Sequence, residues 1–349
     1  MKRYLLIGDG SSPHLVKWGK ELVKHLDLYL FSFKAISEEM SLYIDRDKIF
    51  SLNRLINQKG GNFSVINSIY ILNRFIQYVN PEIVNPHYIT SNGFMAVLIK
   101  KLYRYPYKII SSCWGSDILV TPEKNFLYKK ITRYILGNSD LITSDSFYMT
   151  DRIISLSPNA RVLTFPFGVE KLPPKREKDP NLFFSNRMLK KNYNIDKIII
   201  AFAEYLKING DAKLIIANDG YLKDELIDLI NMLKLNNNVK FVGFLSKDEQ
   251  EDIYSRASFY ISIPDSDSTS VSLLEAMSHG CIPIVSNIPA NREWVNDGEN
   301  GFFFTNSFKN INISTAILEK MMDRNRKIIE EKGIWEKNIK EFVRVIYEM

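Results

Sequence analysis

Two carboxylates and a run of hydroxyls late in the chain carry the densest chemical signal. In Asp265-Ser266-Asp267-Ser268-Thr269-Ser270 a polar loop follows the apolar stretch Phe259–Pro264, and a helix-patterned segment opens near Thr269 or Ser270 and carries Glu275. Amide N–H groups at a helix start have no partner within the helix, so such an opening suits a phosphate. Asp267 and Glu275 are eight residues apart, which over helix is about 12 Å. A hydrolytic carboxylate pair flanks one bond at about 5–10 Å. The spacing therefore fits two carboxylates at opposite ends of one elongated polar ligand better than a glycosidase pair. The competing reading is a helix cap at Asp267 and a solvated face at Glu275.

Other short patterns compete with this one. Asp265-x-Asp267 and Asp45-x-Asp47 are D-x-D pairs of the kind that holds a divalent metal on a diphosphate. The first overlaps the polar loop. Gly8-x-Gly10 lacks the rest of a dinucleotide fingerprint. His14 and His87 lie nearer the expected strand ends than His25 and His279, and His279 stands where it can satisfy the carbonyls of a helix end. Cys113 and Cys281 read as buried small hydrophobes.

Strand and helix patterns alternate through the chain and must position these residues. Tyr4–Ile7, Leu28–Ser32, Glu82–Asn85, Lys108–Cys113 and Leu141–Thr143 read as strands. Between and after them come helix patterns, the first with Ser12 as N-cap and Pro13 at its first position. Others cover Phe63–Val79, Gly93–Lys101, Phe126–Leu136 and Ser146–Ser155. Residues 165–180 hold four prolines and a charged cluster, a linker signature. Alternation then resumes through Ile195–Ile208, Lys213–Ala217, Leu222–Leu233, Lys240–Phe241, Lys247–Arg256, Phe259–Ile263, Ser270–His279 and Ile282–Ser286. Ser314 is the expected N-cap of a helix to Ile328, and Trp335–Glu348 closes the chain. The expected fold is α/β, two doubly wound parallel sheets whose ligands lie at the carboxyl ends of the strands and between the lobes.

Composition narrows the class. At 349 residues, 45% hydrophobic and 25% charged, the chain has apolar material for two cores, which excludes disorder as its main state. Two distant cysteines exclude a disulfide scaffold. The net charge of +6 suits anionic ligands or a membrane surface but is too weak to argue for nucleic acid. No stretch reads as a spanning helix or a signal h-region, so the expected location is cytoplasmic, with peripheral attachment to the inner face of the cytoplasmic membrane.

The segment from Phe259 resembles the E-x(7)-E region of glycosyltransferase family 4. Its strand and loop are followed by Leu273-Leu274-Glu275-Ala276-Met277, Gly280 and Pro283-Ile284-Val285-Ser286, with Asp267 where the family usually has its first glutamate. The resemblance extends over nearly the whole chain. Ile288-Pro289-Ala290-Asn291-Arg292-Glu293-Trp294 and Asp297–Gly301 are similar to the next motif, and Phe184-Ser185-Asn186-Arg187 to a strand–loop whose Arg and Lys meet a leaving diphosphate. Ile216-Ala217-Asn218-Asp219-Gly220 resembles a Gly-Asp-Gly turn with Asn218 replacing a glycine. In the first half, Asn85–Tyr88 and Ser112–Asp117 resemble strand ends that face the cleft.

The resemblance implies a GT-B architecture of two Rossmann-like doubly wound domains facing across a cleft. Residues 1–168 would bind the acceptor and 169–332 the nucleotide-sugar, with a C-terminal helix in 333–349 returning to the first domain. It implies a retaining transferase without a dedicated nucleophile. Arg187, Lys191, Asp267, His87 and Asp117 are the catalytic positions it implies. Glu275 would hold the ribose, and Thr269, Ser270 and Val271 would turn their N–H groups to the diphosphate. Lys190, Asn218 and Gly243 complete the nucleotide positions. The donor would be a UDP- or GDP-hexose, the acceptor a glycan or lipid-linked saccharide of polysaccharide or lipopolysaccharide assembly, with no metal or other cofactor. The alternatives are a nucleotide-sugar epimerase on the same fold and a catalytically degenerate partner subunit. Finally, Lys100–Lys108 and Lys124–Tyr134 interleave cations with aromatics, which suits an anionic membrane surface or a lipid-diphosphate acceptor as well as a plain solvated face.

Overall fold

The computed structural model describes residues 1–53, 68–308, 311 and 314–349. The chain divides into two units, Met1–Phe165 with Ile339–Met349, and Pro166–Asn338. The division falls three residues before the expected boundary at 168. Of the expected C-terminal piece, only the part from Ile339 belongs to the first unit.

The first unit holds a parallel sheet. Its strands are β1 (Arg3–Gly8), β2 (Asp27–Ser32), β3 (Ile49–Ser51), β4 (Ile83–Pro86), β5 (Lys108–Ser112), β6 (Leu141–Ser144) and β7 (Val162–Thr164). They are ordered β3-β2-β1-β4-β5-β6-β7, and each neighbouring pair is parallel. The second unit repeats the plan with β8 (Asp179–Ser185), β9 (Lys213–Ala217), β10 (Val239–Gly243), β11 (Ala257–Ser262), β12 (Ile282–Val285) and β13 (Phe302–Phe303). Its order is β10-β9-β8-β11-β12-β13.

Both orders reverse direction once, between β1 and β4 in the first sheet and between β8 and β11 in the second. At such a point the loops leaving two adjacent strands turn to opposite faces and open a crevice at their carboxyl ends. The strands are apolar on both faces because helices cover both. In β8, Phe183 joins one core with Phe259 and Ile216, while Leu182 and Phe184 join the opposite core with Tyr260 and Ala217. That alternation is the two-residue repeat of a strand.

Several details differ from the sequence reading. Strands β3 and β7 were not expected, because three half-buried residues each are too short to show a repeat. The presumed linker is partly ordered, since β8 begins at Asp179 and Val169 bridges to Ile334. Ser12 and Ser314 occupy N-cap positions, but neither side chain caps. The capping side chains are instead Ser37, Asn125, Ser146 and Ser246. Of the helix expected over Phe63–Val79, the structure shows Ile69–Val79, and residues 63–67 lie outside the described residues. The last helix, Trp335–Glu348, seats the buried Phe342 against Trp18 and Phe165, with ring centroids 5.0 and 5.7 Å away.

Candidate functional site

In the second unit β8 and β11 are neighbours, with Phe183 opposite Phe259 and Phe184 opposite Tyr260. The loops that follow them therefore emerge side by side, one carrying Arg187 and the other Asp267 and Ser270. Arg187 Nη2 meets Asp267 Oδ2 at 2.6 Å. Its Nη1 donates to Ser270 Oγ at 2.5 Å and to Ser272 Oγ at 3.0 Å. The guanidinium also lies over the Tyr193 ring, 4.5 Å from its centroid. Only 12% of the Arg187 side chain is exposed. Burial by itself would lower the pKa of this cation, but the Asp267 carboxylate opposes it, and the net result is a guanidinium held above its usual range. Asp267 thus stands as the counterion of Arg187.

The helix Val271–Ser278 begins beside this pair, with Ser270 at its N-cap and no side chain capping it. Thr269 and Ser270 are buried and Val271 is half-buried. Glu275 lies in the second turn, and Tyr254 Oη donates to its Oε2 at 3.4 Å. The structure therefore gathers Arg187, Asp267, Thr269, Ser270 and Val271 at one helix start, with Glu275 further along the same helix.

Asn218 follows β9, and Gly243 ends the adjacent strand β10. Asn218 has φ +79 and Gly243 φ +71. Asparagine is among the few side chains that enter this region readily, which is how it replaces a glycine there. Asn218 Nδ2 donates to the Asn186 carbonyl at 2.5 Å, and its amide N–H to the Gly243 carbonyl at 2.6 Å. Gly220 packs against the Arg187 loop so closely that a Cβ there would lie 2.3 Å from the Leu189 carbonyl oxygen. Lys190 and Lys191 lie on that loop, Lys190 half-buried and Lys191 exposed. Neither is drawn to Asp267 as Arg187 is.

Asp265 is engaged as well, since its Oδ1 accepts from Asn194 Nδ2 at 2.8 Å. The two carboxylates of the D-x-D thus have separate protein partners. Among the described residues, no group of three or more His, Cys, Asp or Glu is gathered to hold a metal ion.

The first unit brings His87 and Asp117 to the loops after β4 and β5. His87 is buried and accepts at Nδ1 from Trp114 Nε1–H at 3.2 Å. That places its proton on Nε2, which donates to Asn85 Oδ1 at 2.7 Å. Asn85 is fixed in turn, with Nδ2 donating to the Ile110 carbonyl and to Ser112 Oγ. Burial pushes the pKa of His87 down to about 3. Asp117 is fully buried, its two oxygens accepting from the amides of Ile89 and Trp114 at 3.0 Å each. Burial raises its pKa to about 6. The resemblance implies a catalytic place for both residues, and in the structure their polar atoms have partners within the first unit. His87 orients Trp114, and Asp117 ties two loops together. His279 stands at the C-cap of the helix Val271–Ser278 and meets the Glu275 carbonyl through its backbone N–H at 3.1 Å, while its ring stacks on Tyr254 and its buried Nδ1 has no hydrogen-bond partner among the described residues. Cys113 and Cys281 are buried and unpaired.

The sequence reading missed Asn186, Tyr254, Tyr260 and Ser272, which underlie the charged residues. Asn186, Tyr260 and Ser272 lay inside the motif segments without a role of their own, and Tyr254 lay in the helix expected over Lys247–Arg256.

Comparison with known proteins gives this geometry a family. The family described as Glycosyl transferases group 1 matches residues 170–341, and the one described as Glycosyl transferase 4-like matches residues 3–146. The chain belongs to the family-4-like glycosyltransferases. This glycosyltransferase has the GT-B fold, and over 100% of both chains it is similar to HepE of Anabaena, solved in complex with UDP and glucose, with a TM-score of 0.77 and 14% identity. It is 24% identical to the N-acetyl-alpha-D-glucosaminyl L-malate synthase of Bacillus anthracis over 246 residues, 65% of this chain and 62% of that one. It is 27% identical to the alpha-monoglucosyldiacylglycerol synthase of Streptococcus pneumoniae over 158 residues, 44% of this chain and 35% of that one. The glycosyltransferase thus spans less than two thirds of the length of either curated relative.

The neutral His87 leaves a mark on stability. The folded form refuses a proton between about pH 3 and the unfolded value near 6.5, while the unfolded chain accepts one. The stabilisation from His87 is therefore complete above pH 6.5 and is lost as pH falls through that window. Replacing His87 by Gln, which cannot titrate, is expected to destabilise the protein at pH 7, with a deficit that shrinks by up to about 2 kcal/mol at pH 5. Urea denaturation at the two pH values measures this. A deficit independent of pH contradicts the buried neutral histidine. Asp117 also titrates in this range, in the opposite sense, and cancels in the comparison.

Proposed function

We propose that this glycosyltransferase moves a hexose from a UDP- or GDP-sugar to a hydroxyl of a glycan or lipid-linked saccharide, with retention at the anomeric carbon and without a metal. One observation carries the reading. A buried arginine stands at the switch point of the second sheet, against the N-terminus of the helix Val271–Ser278, with hydroxyls and a carboxylate around it. Departure of a nucleoside diphosphate develops negative charge that fixed donors must meet. One well-placed donor of this kind contributes about 2.7–4 kcal/mol to the transition state. In this reading Arg187, a lysine from Lys190 or Lys191, and the N–H groups at Thr269–Val271 meet the diphosphate. Glu275 takes the ribose, and Asp267, displaced from Arg187, turns to the sugar. Asn218 and Gly243 shape the nucleotide's surroundings. The first unit recognises the acceptor, in a cell-surface polysaccharide or lipopolysaccharide pathway. The solved relative holding UDP and glucose supports a nucleotide-sugar donor.

The same reading places the protein in the cytoplasm, at the inner face of the membrane. No helix of the described residues is long and apolar enough to cross a membrane. Beside Lys101, Lys124 and Lys130, however, Leu102, Phe126 and Leu127 are 63%, 79% and 63% exposed. Apolar side chains among cations suit an anionic bilayer, where each cation near the surface contributes about 1 kcal/mol.

Two measurements test these proposals. Thermal shifts with a panel of nucleoside diphosphates and nucleotide-sugars should show stabilisation by one base series. The shift should be unaffected by a chelator and lost in Glu275→Ala and Arg187→Ala. No shift with any nucleotide contradicts the donor site. Sedimentation with vesicles containing phosphatidylglycerol should pull down the wild type at low salt, and Phe126→Ser/Leu127→Ser several-fold less. Equal recovery of the two removes these residues from membrane attachment.

A further inference from the structure

Behind the charged residues of the second unit runs a hydrogen-bonded chain whose ends are the two residues assigned to opposite ends of the nucleotide. Arg187 Nη1 lies 3.0 Å from Ser272 Oγ. Ser272 Oγ is 2.8 Å from Tyr260 Oη, which is 2.9 Å from Asn186 Oδ1. Asn186 Nδ2 is 2.7 Å from Tyr254 Oη, which is 3.4 Å from Glu275 Oε2.

Chemistry fixes the direction of this chain. A guanidinium only donates and an ionised carboxylate only accepts, while each hydroxyl between them has one proton. Tyr260 has one proton, and its hydroxyl meets Asn186, Ser272 and Ser262. Asn186 Oδ1 can only accept, so the Tyr260 proton points there, and the Ser272–Tyr260 contact is made with Ser272 as donor, Ser270 donating to Ser272 in their 3.0 Å contact. Asn186 then donates from Nδ2 to Tyr254. The remaining Tyr254 proton faces Glu275 Oε2 and the Ser272 carbonyl, 3.3 Å away. Every link thus donates away from Arg187 and toward Glu275. Asn186 is the pivot, because an amide accepts at one atom and donates at another. Its second N–H is taken by Gln250 Oε1 at 2.8 Å.

The surroundings suit such a chain. Asn186, Tyr254 and Tyr260 are 7%, 1% and 0% exposed, so water does not compete. Burial raises Tyr260 to about 12 and Tyr254 well above its usual range, so both hydroxyls keep their protons. Hydrogen bonds aligned head to tail polarise one another, and low local dielectric strengthens the effect.

We propose that Ser272, Tyr260, Asn186 and Tyr254 are positioning residues that couple the diphosphate end of the donor site to its ribose end. The inference rests on the donor-site reading. An anion at Arg187 draws its N–H groups outward and weakens the pull along the chain. Tyr254 then leans less on Glu275, whose oxygen becomes the better acceptor for a ribose hydroxyl. Linkage makes the effect reciprocal.

The nucleotide cut into two pieces provides the test. The affinity of the full chain for uridine, and for guanosine, is measured with and without saturating inorganic pyrophosphate, beside controls with UDP and GDP. In the wild type, pyrophosphate should tighten binding of one nucleoside by about fivefold or more, the lower end of ordinary coupling. In Tyr260→Phe, which keeps the ring and removes only the oxygen, the factor should fall to about one. A loss of packing alone would weaken both ligands without changing the factor between them. If Tyr260→Phe does not fold, Ser272→Ala breaks the same chain one link earlier and carries the same expectation. A factor equal in wild type and variant, or a factor of one in a wild type that binds both pieces, overturns the inference and leaves the donor site standing. A wild type that binds neither UDP nor GDP overturns both.

Discussion

A guanidinium almost out of water needs a counterion, and in this protein the need is met by Asp267. Desolvating an ion costs several kcal/mol, which only close opposite charge and hydrogen bonds offset. Arg187 has both, with Asp267 at 2.6 Å and Ser270 and Ser272 at 2.5 and 3.0 Å. The loop after β8, the loop after β11 and the first turn of the helix Val271–Ser278 are thereby held to one point. An anionic ligand at Arg187 enters a place already shaped for negative charge, in exchange for a carboxylate.

The rest of the second unit makes that point possible. Parallel pairing of β8 with β11 sets their carboxyl ends side by side at the switch in strand order. Asn218 at φ +79 lets the loop after β9 reach back to Asn186, and Gly220 lets that turn close on Leu189. The first unit uses the same topology for a different end. At its own switch point, His87 and Asp117 are spent on Trp114, Asn85 and backbone amides. The one site keeps its charge, and the other buries polar groups to fix loops.

Much of this was legible in the sequence, and for physical reasons. Apolar runs bounded by turn residues marked most of the central strands of both sheets, because strands buried on both faces leave no polar alternation to confuse them. The helix carrying Glu275 is a local pattern, so it was readable too, although it starts at Val271 and leaves Asp267 on the loop before it. What was not legible is non-local. Nothing in Tyr254 or Tyr260 shows that their hydroxyls meet at Asn186, because those contacts span 68 and 74 residues. The pairing of Arg187 with Asp267, 80 residues apart, depends on which strands are neighbours. The place of His87 in the sequence came from the resemblance of Asn85–Tyr88 to a strand end. Its burial and its two fixed nitrogens appear only in three dimensions. Strands β3 and β7 escaped because three residues carry no period.

The central claim is that a nucleoside diphosphate takes the place of Asp267 on Arg187. A crystal structure of the chain with UDP or GDP tests it most directly. The account predicts diphosphate oxygens within hydrogen-bonding distance of Arg187, the ribose hydroxyls on Glu275, and Asp267 moved off the guanidinium. A nucleotide bound with the Arg187–Asp267 pair intact, or seated at the strand ends of the first unit, would contradict it.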